Sequence, residues 1–288
     1  MNKKRSAVFI FWICGAVSIL LIAAYALIAH FVPFNNTFNP AAGSTWNDLW
    51  LNLITVIAAF LSAVAATAVA RSFQKSEPAL KIWWFFSFGL WCWFLSEVIW
   101  MVYVLESGDV PSPSIADLSW VVGYVAFSVA FLHQHRILYK PAFWKRTLLV
   151  GGIWLLVLVF TLLITWMTAN FDIRSIKMGG LVEIFYPVAD LVIALIALFF
   201  ISTFGRGAMM RPWLGLLIFA LADGIYAWLI NTGLYTYTAW GGNAVSIIAD
   251  TIYMAAYLVL TMGLLAYLLL IGYGPAAFQN RSSQAKIK

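Results

Sequence analysis

Charge is the first thing this sequence is short of. Only 10% of its 288 residues are charged, whereas roughly a quarter is usual in a soluble domain. Hydrophobic residues make up 64%, and no soluble fold of this length hides that much apolar surface. Lipid must therefore be the main solvent. Cysteine is nearly absent: Cys14 and Cys92 both lie inside apolar runs, which excludes a disulfide framework or a cysteine-based metal site. Histidine is as scarce. His133 and His135 are two residues apart and point in different directions on a helix, and His30 stands alone, so neither zinc nor haem is indicated. There is no nucleophile elbow, metalloprotease motif or glycine-rich phosphate loop, and no mid-span lysine for a retinal Schiff base. No cofactor and no metal are expected, and enzymatic activity is disfavoured.

Long apolar stretches are plentiful. They fall at about 7–31, 47–70, 82–104, 116–135, 147–169, 183–204, 212–232 and 246–272, each near the ~20 residues that carry a helix across a bilayer. A barrel strand needs only about ten alternating residues, and these runs are continuous. The expected fold is an all-α integral membrane protein with eight transmembrane helices. The net charge of +6 does not signal nucleic acid, because the basic residues sit at the ends of runs and not in a surface patch. They sort by side: with the N-terminus inside, only Arg174 and Lys177 of the 17 lysines and arginines fall outside. The positive-inside rule thus gives cytoplasmic N- and C-termini in a cell inner membrane. The first run also has signal-peptide features, with a basic start and Ala24-Tyr25-Ala26, but it is longer than a signal h-region. Asn35-Asn36-Thr37 fits a glycosylation triplet on the outer side. Most of the 15 tryptophans, among them Trp46, Trp83, Trp84, Trp144, Trp213 and Trp240, lie near expected interfaces and read as an aromatic belt.

An internal repeat runs through the chain. Spans three and four read Trp83-Trp84, Glu97 and Trp100, then Asp117, Trp120 and Tyr124. Spans seven and eight read Pro212-Trp213, Asp223 and Tyr226, then Asp250, Tyr253 and Tyr257. Acid and aromatic recur at +3, and a tyrosine at +7. A weaker match joins Trp46-Asn47-Asp48 to Tyr186-Pro187-Val188-Ala189-Asp190. The expected organisation is two parallel four-helix repeats, residues 1–139 and 140–274, then a short basic cytoplasmic tail, 275–288. Four helices per copy return the chain to the same side, and such repeats place shared sites between them. Ala65, Ala66, Gly89, Gly123, Gly215 and Gly224 are small enough to let helices approach closely. The prolines of spans six and seven stand at their starts, away from their centres.

The acids carry the functional reading. Asp48, Asp117, Asp190 and Asp250 are expected in the outer ends of descending helices, Glu97 in the outer half of an ascending one and Asp223 nearer the midplane. No lysine or arginine lies at comparable depth, so these groups should face water, one another or a bound cation. Positions i, i+3 and i+7 share a helix face, which sets each acid on a stripe of aromatics suited to cation-π and stacking contacts. The structural alternative is also open. Ser114-x-x-Asp117 is a capping box, Asn243 or Ser246 could cap the eighth span, and an acid in a first turn suits the helix dipole. Glu97 and Asp223 are too far from helix ends for capping. The candidate ligand-binding set is Glu97, Trp100, Asp117, Trp120, Tyr124, Tyr186, Asp190, Asp223, Tyr226, Asp250, Tyr253 and Tyr257.

Residues 113–120, Pro-Ser-Ile-Ala-Asp-Leu-Ser-Trp, with Gly123-Tyr124, Tyr186-Pro187-Val188-Ala189-Asp190-Leu191 and Ala222-Asp223 are similar to the multi-span membrane regions at the N-terminus of many bacterial GGDEF and EAL signalling proteins. The likeness covers about residues 45–270. It implies a membrane-embedded sensory domain reading an external or membrane signal. The chain has no cyclase or phosphodiesterase domain, so output is expected to come from a protein partner. The leading expectation is a sensory or accessory membrane protein that binds a small ligand, cationic in the favoured case, between its repeats on the extracytoplasmic side. The alternative is a transporter for a cation or cationic solute, with or without proton coupling. A structural subunit of a membrane complex and an intramembrane enzyme rank lower.

Overall fold

The computed structural model describes residues 3–32, 35–138, 178–204, 207–238 and 241–274, with positions 152, 156, 159 and 163. The fifth apolar run (147–169) and the basic tail (275–288) lie essentially outside the described residues. So do Trp144 and Trp240. Among the described residues, seven helices are long and apolar enough to cross a membrane. They are α1 (Lys3–Phe31), α2 (Trp46–Arg71), α3 (Pro78–Ser107), α4 (Ile115–Leu138), α5 (Met178–Phe204), α6 (Arg211–Asn231) and α7 (Ala244–Tyr273). Two small antiparallel pairs complete the described elements: β1 (Thr37–Asn39) with β2 (Ser44–Thr45), and β3 (Tyr237–Thr238) with β4 (Gly241–Gly242). Both pairs lie at the same end of the bundle, called the hairpin end below.

Local signals fix the helix ends. Thr45 and Asp48 form a reciprocal capping box at the start of α2, satisfying two of the amide groups a helix N-terminus leaves without partners. Pro78 opens α3, where a missing N–H costs nothing. Gly108 closes it at φ +71°, and a Cβ there would meet the Ala42 carbonyl oxygen, so only glycine fits. Asn243 caps α7 by accepting from the Ser246 amide at 2.8 Å. Helix α5 begins earlier than the hydrophobic run suggested, at Met178, so Pro187 lies inside it. That corrects the expectation of a proline at the start of this span.

Neighbour relations describe a ring. α2 packs on α3, α3 on α4, α5 on α6, α6 on α7 and α7 back on α2, while α4 and α5 meet only thinly. α1 lies outside the ring in the groove of α7 and α2, with Trp12, Ile19 and Leu20 exposed as a lipid-facing surface requires. Close approach is secured by small residues. Ala58, Ala59, Ala63, Ala66 and Ala70 of α2 are buried. A Cβ on Gly89 would meet the Phe127 ring, one on Gly123 the Trp93 ring, and one on Gly215 the backbone of Leu260. Gly224 has nothing within 4 Å, so it plays no such part.

The half of the ring away from the hairpins is filled by aromatics. Trp213 packs on Phe200 at 4.4 Å, Phe131 at 5.6 Å and Trp83 at 6.3 Å, and Trp83 on Tyr267 at 4.9 Å. Above this layer Trp93 lies on Phe219 at 4.5 Å. Trp83 and Trp213 are therefore core, with 3% and 1% exposure, not belt residues as expected. Trp46 and Trp84 do face outward. Interior volume claimed the first two because large flat rings fill a wide ring of helices that aliphatic side chains would leave porous.

Candidate functional site

The aromatic floor ends at Phe219, and toward the hairpins the ring encloses a cavity of about 620 Å³, within the range of small-molecule sites. Asp48, Glu97, Asp117, Asp190, Asp223 and Asp250 all line it. At 1.5 Å of rise per residue from the hairpin end of its helix, Asp250 lies about 9 Å deep, Asp223 about 12 Å, Glu97 about 15 Å and Asp190 about 18 Å. Asp190 is thus deeper than its sequence position suggested, because α5 starts earlier. Among the described residues, no lysine, arginine or histidine lines the cavity. Among the described residues, no group of acids, histidines or cysteines has metal-holding geometry.

The acids divide by what holds them. Asp48 and Asp117 are the third helical residues of capping boxes. Asp48 Oδ2 accepts from the Thr45 amide at 2.7 Å and hydroxyl at 2.8 Å. Asp117 Oδ2 accepts from the Ser114 amide at 2.6 Å and hydroxyl at 2.9 Å. Asp117 does more, since its Oδ1 also accepts from Tyr186 Oη of α5 at 2.7 Å. Asp190 and Asp250 lie beyond the first turn and are not capping residues.

Tyrosine hydroxyls from other elements converge on the remaining acids. Glu97 Oε1 accepts from Tyr253 at 2.6 Å and Tyr257 at 2.8 Å, both on α7. Asp190 Oδ1 accepts from Tyr124 of α4 at 2.5 Å. Asp250 Oδ2 accepts from Tyr235 at 2.9 Å and Tyr237 at 2.7 Å, both from the segment linking α6 to α7. Burial, and after it the Asp250 carboxylate, pushes both of these phenols well above the ordinary tyrosine range, so they stay protonated donors. Asp223 stands within electrostatic reach of Asp190, Glu97 and Tyr124.

Tyr124 and Asp190, with Tyr186 and Asp117, form a reciprocal pair of bonds across the thin seam between α4 and α5. Trp100 and Trp120 pack at 5.7 Å and Trp120 reaches Tyr186 at 6.3 Å, giving the cavity an aromatic wall opposite Tyr226 and Tyr235, which pack at 5.1 Å.

Eleven of the twelve residues singled out in the sequence line this cavity. Tyr257 does not; it is buried behind Glu97, as one of its two donors. The expected same-helix stripe is not the bonding pattern, because every tyrosine that bonds an acid comes from a different element. A hydroxyl at the end of a tyrosine reaches across a helix interface more readily than along its own helix, where side chains lean toward the N-terminus. Three lining tyrosines escaped the sequence reading. Tyr25 of α1, 7% exposed, reaches the cavity from outside the ring, and Tyr235 and Tyr237 come from the linking segment. The alternation Tyr235-x-Tyr237 before a hairpin was the available signal, since i and i+2 of an extended segment share a face. His133 and His135 lie against Phe85 and Phe199, each at 6.0 Å, and take no part.

No protein-family model matches the sequence, and no curated protein and no solved structure matches it.

Proposed function

We propose that the protein is a membrane-embedded receptor for a small organic cation, bound in the acid-lined cavity and acting as a sensory or accessory component through a protein partner. One observation carries this reading. The chamber concentrates carboxylates and tyrosine hydroxyls already turned toward those carboxylates, with no positive side chain among the described residues that line it. A carboxylate only accepts hydrogen bonds and an ammonium only donates them, so the cavity wall complements an ammonium, and its rings add cation-π attraction.

The sensory assignment rests on the resemblance in residues 113–124, 186–191 and 222–223 to the membrane regions of GGDEF and EAL signalling proteins. With the fifth apolar run as an eighth span, both termini cytoplasmic and two parallel four-helix repeats, the cavity faces the extracytoplasmic side of a bacterial inner membrane. The aromatic floor supports reception over conduction, because it fills the ring on the other side of the acids.

The test is thermal unfolding of the purified protein with butylammonium chloride, against sodium chloride at equal ionic strength. The wild type is expected to be stabilised by the amine in a saturable manner, and the Glu97→Gln/Asp223→Asn double variant is not. Equal response of both proteins would remove the cation site. Transport of a cationic solute is the second reading, favoured by Pro187 inside a helix bordering the cavity and by the thin α4–α5 seam. Saturable butylammonium flux into proteoliposomes selects transport; binding without flux selects reception.

A further inference from the structure

The placement of the acids around the ring carries more than a preference for positive charge. In the ring order α2, α3, α4, α5, α6, α7, the pair α7 and α2 stands opposite the pair α4 and α5. Asp250 belongs to the first wall and Asp190 to the second, while Asp223 and Glu97 come from α6 and α3 between them. Among the described residues, Asp190 is held through Oδ1 by Tyr124 and Asp250 through Oδ2 by Tyr235 and Tyr237. The hydroxyl beside Asp223 is that of Tyr124, and its single proton goes to Asp190. Asp223, which also lines the cavity, stands against the same hydroxyl. Acids on two facing walls, with Glu97 and Asp223 between them, offer more acceptors than one ammonium group can answer. The rings of Trp100 and Trp120 offer an apolar flank between the walls.

We infer that the ligand class is an alkyl diamine or longer polyamine, with one ammonium group at the Asp250 wall and another at the Asp190 wall, and its methylene chain laid along the tryptophans. This rests on the cation-receptor reading above and specifies its ligand.

Calorimetric titration of the full-length purified protein with ethylenediamine, tetramethylenediamine, hexamethylenediamine and octamethylenediamine, beside butylamine, separates the two levels. The expected result is an affinity maximum at intermediate chain length, with the best diamine about tenfold or more tighter than butylamine, the gain of roughly one further charge-assisted contact. Asp250→Asn and, separately, Asp190→Asn should each bring that ratio close to one. Both substitutions keep a side-chain oxygen for the tyrosine donors, and agreement between them guards against a variant that fails to fold. Equal binding of butylamine and every diamine, or affinity indifferent to chain length, overturns the two-ended ligand while leaving the cation receptor standing. No heat and no stabilisation with any amine overturns both.

Discussion

The close crossing of α6 and α7 holds Asp223 against the helix that supplies Tyr253 and Tyr257, and its tolerance can be worked out from distances. A Cβ on Gly215 would lie 2.6 Å from Leu260 Cα and 2.8 Å from Leu260 N, where ordinary contact begins at 3.4 Å. Both atoms are backbone, so no rotamer change relieves the clash and the helices must part by about 0.8 Å in a close-packed interface. Overpacking of this kind costs about 1–3 kcal/mol. Gly224, on the same helix, has nothing within 4 Å. Both Gly→Ala changes gain about the same helix propensity, roughly 1 kcal/mol, so that gain cancels in the comparison. Gly215→Ala should therefore unfold below Gly224→Ala by several degrees, about 2–4 °C per kcal/mol for a chain of this order of size. The assay is thermal unfolding in one detergent at one protein concentration. Indistinguishable midpoints would refute the crossing geometry, and a less stable Gly224→Ala would invert it.

Replacing Tyr253 and Tyr257 together by Phe strips Glu97 Oε1 of both donors; at about 1 kcal/mol or more per hydrogen bond, the midpoint should drop more than for either single variant. Asn243→Ala removes the α7 cap and the Nδ2 bonds to the Leu234 carbonyl and Thr236 hydroxyl, so a cost of about 1–2 kcal/mol should appear as faster amide exchange confined to the segment between α6 and α7 and the first turn of α7. Because Tyr235 and Tyr237 have raised pKa values, their contribution is complete below the ordinary tyrosine value of about 10 and is lost as pH rises through the folded-state values. In the Tyr235→Phe/Tyr237→Phe variant that alkaline loss should shrink; an unchanged pH–stability curve would contradict their burial against Asp250. For orientation, Asp109→Cys should react with an impermeant maleimide from the extracytoplasmic side and Lys75→Cys only after membrane disruption; the reverse pattern would invert the topology.

Much of this was legible because lipid imposes simple rules. Unbroken apolar runs flanked by Lys3 and Lys4, Arg71 and Lys75, or Arg211 read as helices long and apolar enough to cross a membrane, and the described ones are such helices. Acids without counter-ions, such as Glu97 and Asp223, could only face an interior. What escaped depends on which helices meet. Nothing local says that Tyr253 and Tyr257 reach Glu97 across 156 and 160 residues of chain, or that Tyr124 crosses to Asp190. The repeat invited pairing each acid with the aromatic three residues along its own helix, whereas the ring pairs it with a neighbour's tyrosine. Trp83 and Trp213 misled for a related reason: a tryptophan near a helix end looks the same in one dimension whether it faces headgroups or a wide bundle core. Helix α5 starts earlier than the sequence implies: Pro187 reads as a helix start, yet within a bundle one lost backbone bond is tolerated.

The most direct measurement is a density map of the purified protein prepared with saturating butylammonium, beside one prepared without amine. The expected map holds an elongated feature between Glu97 and Asp223, flanked by Trp100 and Trp120, that is missing in the amine-free sample. A chamber identical in the two maps, or acids turned away from it toward separate backbone amides, would contradict the claim that these carboxylates form one cation-binding site.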